Sequence, residues 1–113
     1  MPTDRSQQAL RLADAHPPRD EDERLADICR ALGNPVRLKI IRYIHDHPGC
    51  IGNQILLNLP DDLSRAQSTL SQHLKILCHA GLIEAEPDGH AVMYTLSQQC
   101  MIWLRQHLQG LEP

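Results

Sequence analysis

Residues 64–80 read Ser-Arg-Ala-Gln-Ser-Thr-Leu-Ser-Gln-His-Leu-Lys-Ile-Leu-Cys-His-Ala, and this segment contains the clearest helix start in the chain. Ser64 followed by Gln67 matches a capping box, in which two side chains satisfy backbone amides at a helix start. One buried stripe is predicted from the apolar side chains at helical spacing, Ala66, Leu70, Leu74 and Leu77. The opposite face carries Gln, Ser, Thr and Lys without a carboxylate, which favours contact with base edges and phosphates in a DNA major groove. A polar face that is merely solvated is the alternative.

Two helices are predicted to meet at a corner upstream of this stretch. The first opens at Asp20, with Glu23 three residues later as in a capping box, and ends at Gly33. Asn34 can cap the second helix, and Pro35 fits its first turn. That helix runs to a break at residues 46–49, and a short amphipathic piece follows over residues 52–59.

A β-hairpin and a last helix are predicted downstream. Two strand-like runs, residues 82–86 and 90–96, flank the turn Pro87-Asp88-Gly89. Ser97 can cap a helix that reaches about residue 109, whose run Cys100–Leu104 is too broad for one apolar stripe. One side of that helix should pack inward and the other against a partner. The predicted fold is mainly α with a small β-hairpin, in the element order of a winged helix-turn-helix.

Length and charge limit the organisation and the function. The 113 residues suffice for one domain, with an N-terminal arm over residues 1–19 that includes a short helix, the winged helix-turn-helix over 20–109 and a tail over 110–113. The net charge of −3 excludes a histone-like protein, and the only net-positive part, residues 35–80, carries five basic and three acidic side chains. No secretory signal or membrane-spanning run is recognisable, so we expect a cytoplasmic protein without membrane contact.

Three segments carry a family signature: Ala31-Leu-Gly-Asn-Pro-Val-Arg-Leu38, Gln67-Ser-Thr-Leu-Ser-Gln-His-Leu74 and Ala80-Gly-Leu-Ile83. Together they resemble the ArsR-type (ArsR/SmtB) bacterial transcriptional regulators, over roughly residues 22–109. The resemblance implies a homodimeric DNA-binding repressor whose first and last helices form the dimer interface. It also implies that the dimer reads an inverted repeat in double-stranded DNA. We expect a metal, metalloid or thiol-reactive signal to release the repressor.

The resemblance places most DNA contacts on the helix over residues 64–80. Base contacts are expected from Gln67, Ser68, Thr69 and Gln72, and backbone contacts from Arg65, Ser71, His73 and Lys75. Packing against another helix is the equal alternative for His73. The wing of this fold is the predicted β-hairpin. It departs from the family pattern, since His90 and Thr95 stand where arginines are common. We therefore expect His90 to hold phosphate weakly at neutral pH and more strongly once protonated. The connection from Pro60 to Arg65 is also longer than the family's usual turn.

Two kinds of sensing site are candidates. The family's arsenic motif has two cysteines separated by one residue, of which this chain keeps only Cys50, because Gly52 occupies the second position. His45 and His47 could join Cys50 in holding arsenite or a zinc-type ion as an effector, although the fold requires no cofactor. Cys29 and Cys100 fall on the two helices expected at the dimer interface. There they form either a redox pair or apolar filler.

Two other classes of function compete with DNA binding. An enzyme is not expected, because the sequence has no phosphate loop, acid–base pair or HExxH motif. A winged-helix module that binds protein, without DNA binding or sensing, tolerates the weak wing and the acidic balance. Such a module does not need a carboxylate-free polar face on the helix over residues 64–80, so DNA remains the favoured partner.

Overall fold

The computed structural model describes residues 20–59 and 67–113. Within them the chain forms mainly helices, with one three-stranded antiparallel sheet in the order β1-β3-β2. In chain order the elements are α1 (Glu21–Leu32), α2 (Pro35–Asp46), β1 (Cys50–Ile51), α3 (Gly52–Leu57), α4 (Gln67–His79), β2 (Ile83–Asp88), β3 (Ala91–Leu96) and α5 (Gln98–Gln109). None of the described helices has the length and apolar content needed to cross a membrane. The predicted mainly α fold with a β-hairpin is confirmed.

Side-chain caps begin three of the helices where the sequence predicts them. Asp20 accepts a hydrogen bond of 2.7 Å from an amide in the first turn of α1. Asn34 accepts two such bonds at the start of α2, of 2.9 and 3.1 Å. Ser97 accepts one of 3.2 Å at the start of α5. Each cap satisfies backbone donors that a helix start leaves unpaired, so these boundaries are fixed locally.

The core is aliphatic, and α4 runs through it. The predicted stripe is confirmed at Leu70, Leu74 and Leu77, all of which are buried. It packs in one cluster with side chains from the other helices and the hairpin, among them Ile28, Ile40, Ile44, Ile55, Leu82 and Cys100. Several predicted features lie outside the described residues: the short helix in the arm, the Ser64 cap, the fourth stripe member Ala66, and the connection from Pro60 to Arg65.

The hairpin is confirmed, although its turn lies further along the chain than predicted. Asp88 pairs with Ala91, so the turn consists of Gly89 and His90, and Pro87 belongs to β2 instead. Gly89 has a φ of +65°, which glycine adopts without steric cost. Pro87 is tolerated because β2 is an edge strand, where a missing amide need not break the ladder.

A third strand completes the sheet and was not predicted. Cys50 and Ile51 form β1 and pair with Tyr94 and Met93 of β3. A strand of two residues is too short to produce an alternating pattern, so the sequence gives no signal for it. It anchors the hairpin to the start of α3.

Gly81 determines how the hairpin leaves α4. Its φ is +85°, and its amide donates a 3.0 Å hydrogen bond to the carbonyl of Cys78, while the amide of Leu82 donates one of 3.0 Å to Leu77. This pair of bonds is the Schellman motif that ends many helices at a glycine. Leu77 and Leu82 are both fully buried, so the helix end and the first strand share one apolar contact region.

Arg37 joins three helices. Its Nε donates to the carbonyl of Ala31 at 2.6 Å, and its Nη2 to that of Arg30 at 3.4 Å, both in the last turn of α1. Its Nη1 lies 3.2 Å from Nδ1 of His73 in α4. Because a guanidinium only donates, Nδ1 of His73 is the acceptor and the ring proton lies on Nε2. The Arg37 side chain therefore fixes α4 against the corner between α1 and α2.

This contact supports the alternative in which His73 packs helices together. The ring is half-buried, and burial together with the positive charge of Arg37 lowers the pKa of His73 below its ordinary value of 6.5. A proton added to Nδ1 would face the guanidinium and remove the acceptor. The arrangement therefore requires a neutral ring.

Replacing Gly81 with alanine should destabilise the protein by about 1–2 kcal/mol, because a side chain at positive φ is strained. Gly52→Ala is the matched control. Gly52 lies at the start of α3 with no atom within 4 Å of an added Cβ, so the control should be neutral or stabilising by up to about 1 kcal/mol. Urea unfolding at one protein concentration measures both, and equal effects would contradict the role of Gly81.

Acidification should weaken the fold through His73. Since its folded-state pKa lies below the unfolded value, the unfolded chain takes up the proton first, and the free energy of unfolding should fall as the pH drops below about 6.5. His73→Gln cannot titrate and should lose less stability than wild type between about pH 7.5 and about pH 5.5. Urea unfolding at the two pH values measures this, and equal losses in the two proteins would count against the contact.

Candidate nucleic-acid interface

The exposed face of α4 carries no acidic side chain and is polar except at Ile76. Ser71, Gln72 and Lys75 are exposed on it, and Thr69 is half-buried. Lys75 makes no ion pair with any residue of segments 20–59 and 67–113. Within the described segments its positive charge thus has no acidic partner and lies beside neutral hydrogen-bonding groups, a combination that suits phosphates and base edges together.

Not every predicted contact residue can be placed. Gln67 and Ser68 form the first turn of α4, and Arg65 lies outside the described residues. His73 differs from the others, because its ring faces the helix corner through Arg37. Of the predicted set on this helix, the structure exposes Ser71, Gln72 and Lys75 together.

The turn of the wing reaches the same surface as α4. A depression of about 280 Å³ is bordered by α3, α4 and β3, and Ser71 and His90 both line it. Asn53, exposed at the start of α3, lines it as well. The sequence carries no signal for Asn53, because a lone polar residue in a six-residue helix forms no pattern. Predicted contact residues from α4 and from the wing thus converge on one face.

The outer strand of the wing has the opposite character. Glu84, Glu86 and Asp88 are all exposed on β2. Carboxylates repel phosphate, and β2 is the edge of the sheet furthest from β1. The part of the wing available to a phosphate backbone is therefore the turn and β3, and the predicted wing contact, His90, lies in this turn.

The predicted metal ligands do not form a ligand set. Nδ1 of His45 lies 3.0 Å from a carboxylate oxygen of Asp46, whereas the ring of His47 stacks on Tyr43 at 4.2 Å and its Nδ1 lies 3.1 Å from the Tyr43 carbonyl. Cys50 is buried in β1. Across residues 20–59 and 67–113, no group of three or more His, Cys, Asp or Glu side chains could hold a metal ion.

The two candidate redox thiols have different surroundings. Cys29 is exposed on α1, whereas Cys100 is only 1% exposed and belongs to the core. Burial raises the pKa of the Cys100 thiol, and the nearby charge of Arg24 offsets part of this rise. A protonated, buried thiol reacts slowly with oxidants. The structure therefore leaves Cys29 as the accessible member of the pair.

A cluster of side chains holds α5 to α1. The Arg24 guanidinium lies 4.1 Å over the Trp103 ring, and Trp103 stacks on His107 with 3.8 Å between ring centroids. Nε2 of His107 lies 3.4 Å from Glu21. One side of α5 thus packs against α1. Elsewhere on α5, Ile102 and Leu108 are 45% and 44% exposed. These side chains provide the apolar surface that the sequence predicts for a partner.

Comparison with known proteins places this geometry in a family. Residues 34–85 match the model of bacterial regulatory proteins of the arsR family. The chain is 36% identical over 83 residues to the HTH-type transcriptional repressor SmtB of Mycobacterium tuberculosis, covering 74% of this chain and 58% of that protein. It is 33% identical over 85 residues to an uncharacterised HTH-type transcriptional regulator, YbzH of Bacillus subtilis, covering 66% of this chain and 85% of that one.

The fold has solved counterparts as well. A homodimeric winged helix-turn-helix DNA-binding domain from Mycobacterium bovis, a possible ArsR-family regulator, superposes with a TM-score of 0.61 and 20% identity over 83% of this chain and 87% of that one. The segment that matches the family, residues 34–85, runs from the start of α2 into β2. This chain belongs to the ArsR family of bacterial regulatory proteins.

Proposed function

We propose that the chain is a sequence-specific DNA-binding transcriptional repressor. The main support for this proposal is the exposed face of α4, which presents Ser71, Gln72 and Lys75 without an acidic neighbour on the helix. In this proposal Gln72 reads bases, with Gln67, Ser68 and Thr69 on the same helix. Lys75, Ser71, Arg65 and the wing residue His90 contact the DNA backbone. His73 acts from inside the protein by holding α4 through Arg37.

The repressor is proposed to act as a homodimer on an inverted repeat. Two observations support the dimer: α5 exposes Ile102 and Leu108 beside its packed side, and the superposed M. bovis domain is homodimeric. A two-fold dimer presents two copies of α4 in opposite orientations, so the matching DNA is a pair of half-sites related by the same symmetry.

The remaining parts of the proposal follow from the family. Its matched relatives are transcriptional regulators, which supports a regulatory rather than an enzymatic role, and a DNA-bound regulator works in the cytoplasm. Two classes of release signal were predicted from the sequence, a metal or metalloid and a thiol-reactive compound. The exposed thiol of Cys29 supports the thiol-reactive class.

Fluorescence anisotropy with duplex from the chain's own upstream region and with a scrambled duplex tests DNA binding. At about 150 mM salt the upstream duplex should bind at least ~10³-fold more tightly. Gln72→Ala should cost about 1–3 kcal/mol on the upstream duplex only, whereas Lys75→Ala should weaken both and reduce the salt slope by about one.

The matched control is Gln109→Ala, a change of the same type at an exposed position of α5, which should leave both affinities unchanged. An equal loss on both duplexes for Gln72→Ala would remove its base-reading role. Equally poor binding of both duplexes by wild type would favour the protein-binding module.

The dimer is tested by placing a charge on α5. Ile102→Glu should shift the protein toward monomer in sedimentation velocity, because a buried carboxylate at an apolar interface lacks a partner. Leu57→Glu makes the same change at a side chain of α3 that is 78% exposed, and should leave the mass unchanged. If wild type sediments as a monomer, or both variants remain dimeric, the α5 interface is wrong.

A further inference from the structure

A second groove lies away from the wing, between the last turn of α1 and the C-terminal half of α4. It is open to solvent and has a volume of about 500 Å³, within the size range of sites that hold small organic molecules. Its apolar surface comes from Ala31, Ile76 and Ala80. Ile76 is 42% exposed although it is aliphatic, so a ligand in the groove would remove apolar surface from water.

The charged side chains of the groove are predominantly basic. They are Asp27, Arg30, Arg37 and Lys75. Arg30 Nη1 lies 2.7 Å from Asp27, so these two charges largely cancel. Arg37 and Lys75 make no ion pair within segments 20–59 and 67–113. Among the described residues the groove therefore carries two positive charges without an acidic partner, in a chain whose net charge is −3.

Arg37 has donor capacity left for a ligand. Three of its bonds go to the Ala31 and Arg30 carbonyls and to the His73 ring, none of which is an anion. A guanidinium has five N–H groups, so two remain without a partner in the described part of the chain. Unused donors on a half-buried cation beside an apolar surface suit a carboxylate with an apolar body.

We propose that this groove binds an amphipathic monocarboxylate, with the carboxylate at Arg37 and Lys75 and its alkyl or aryl body on Ile76. The arm over residues 1–19 is a poor occupant, because its three arginines outnumber its two aspartates. A ligand here contacts two groups that matter for α4: Arg37, which positions the helix, and Lys75, a proposed phosphate contact. A bound carboxylate should therefore weaken DNA binding. This coupling rests on the proposed function, whereas binding of the carboxylate to the groove does not.

Isothermal titration calorimetry without DNA tests occupancy, with octanoate as the probe. Wild type should bind octanoate at least about tenfold more tightly than acetate, which lacks the apolar body, or octanamide, which lacks the charge. Ile76→Glu places a carboxylate in the groove and should weaken octanoate binding at least about tenfold. Leu57→Glu, outside the groove, should bind as wild type does, and circular dichroism checks that both variants are folded.

The assignment is overturned if octanoate does not bind wild type, if Ile76→Glu binds it equally well, or if acetate or octanamide matches it. Anisotropy with the upstream duplex tests the coupling, and saturating octanoate should weaken that complex at least about threefold. An unchanged affinity would overturn the coupling alone. If no duplex binds even without octanoate, the proposed function fails, while calorimetry still decides the groove.

Discussion

The Arg37 side chain is the contact on which the arrangement of the three central helices depends. It comes four residues after the corner glycine, and its own amide is held by the Asn34 cap at 3.1 Å. The cap thus fixes the backbone from which the guanidinium reaches the end of α1 and the His73 ring of α4. A single tetrapeptide, residues 34–37, both begins α2 and orients the helix proposed to read DNA. A local motif thereby fixes a contact between helices that are distant in sequence.

Features that depend on neighbouring residues could be predicted from the sequence. The caps at Asp20, Asn34 and Ser97 act within one helical turn, and the stripe of Leu70, Leu74 and Leu77 needs only helical periodicity. The turn residues predict the hairpin, but they place its turn too early, because proline favours turns. Pro87 is compatible with a strand only at an edge, and strand order is a property of the whole sheet.

Features that depend on distant residues could not be predicted. Nothing in the sequence pairs Arg37 with His73, 36 positions apart, or brings His90 of the wing to the same surface as Ser71. The proximity of His45, His47 and Cys50 along the chain suggested a metal site, yet burial and ring stacking direct them to separate partners. Short spacing brings side chains together only where the backbone is regular, and residues 47–49 form an irregular turn between α2 and β1.

The edge strand β2 also limits how this protein can assemble. A sheet grows by accepting another strand along its free backbone, and β2 offers Pro87, which has no amide, between the carboxylates of Glu86 and Asp88. A second sheet approaching this edge would meet both a missing donor and like charge from its own copy of the strand. This edge of the sheet is therefore a poor surface for strand pairing with a second copy of the chain.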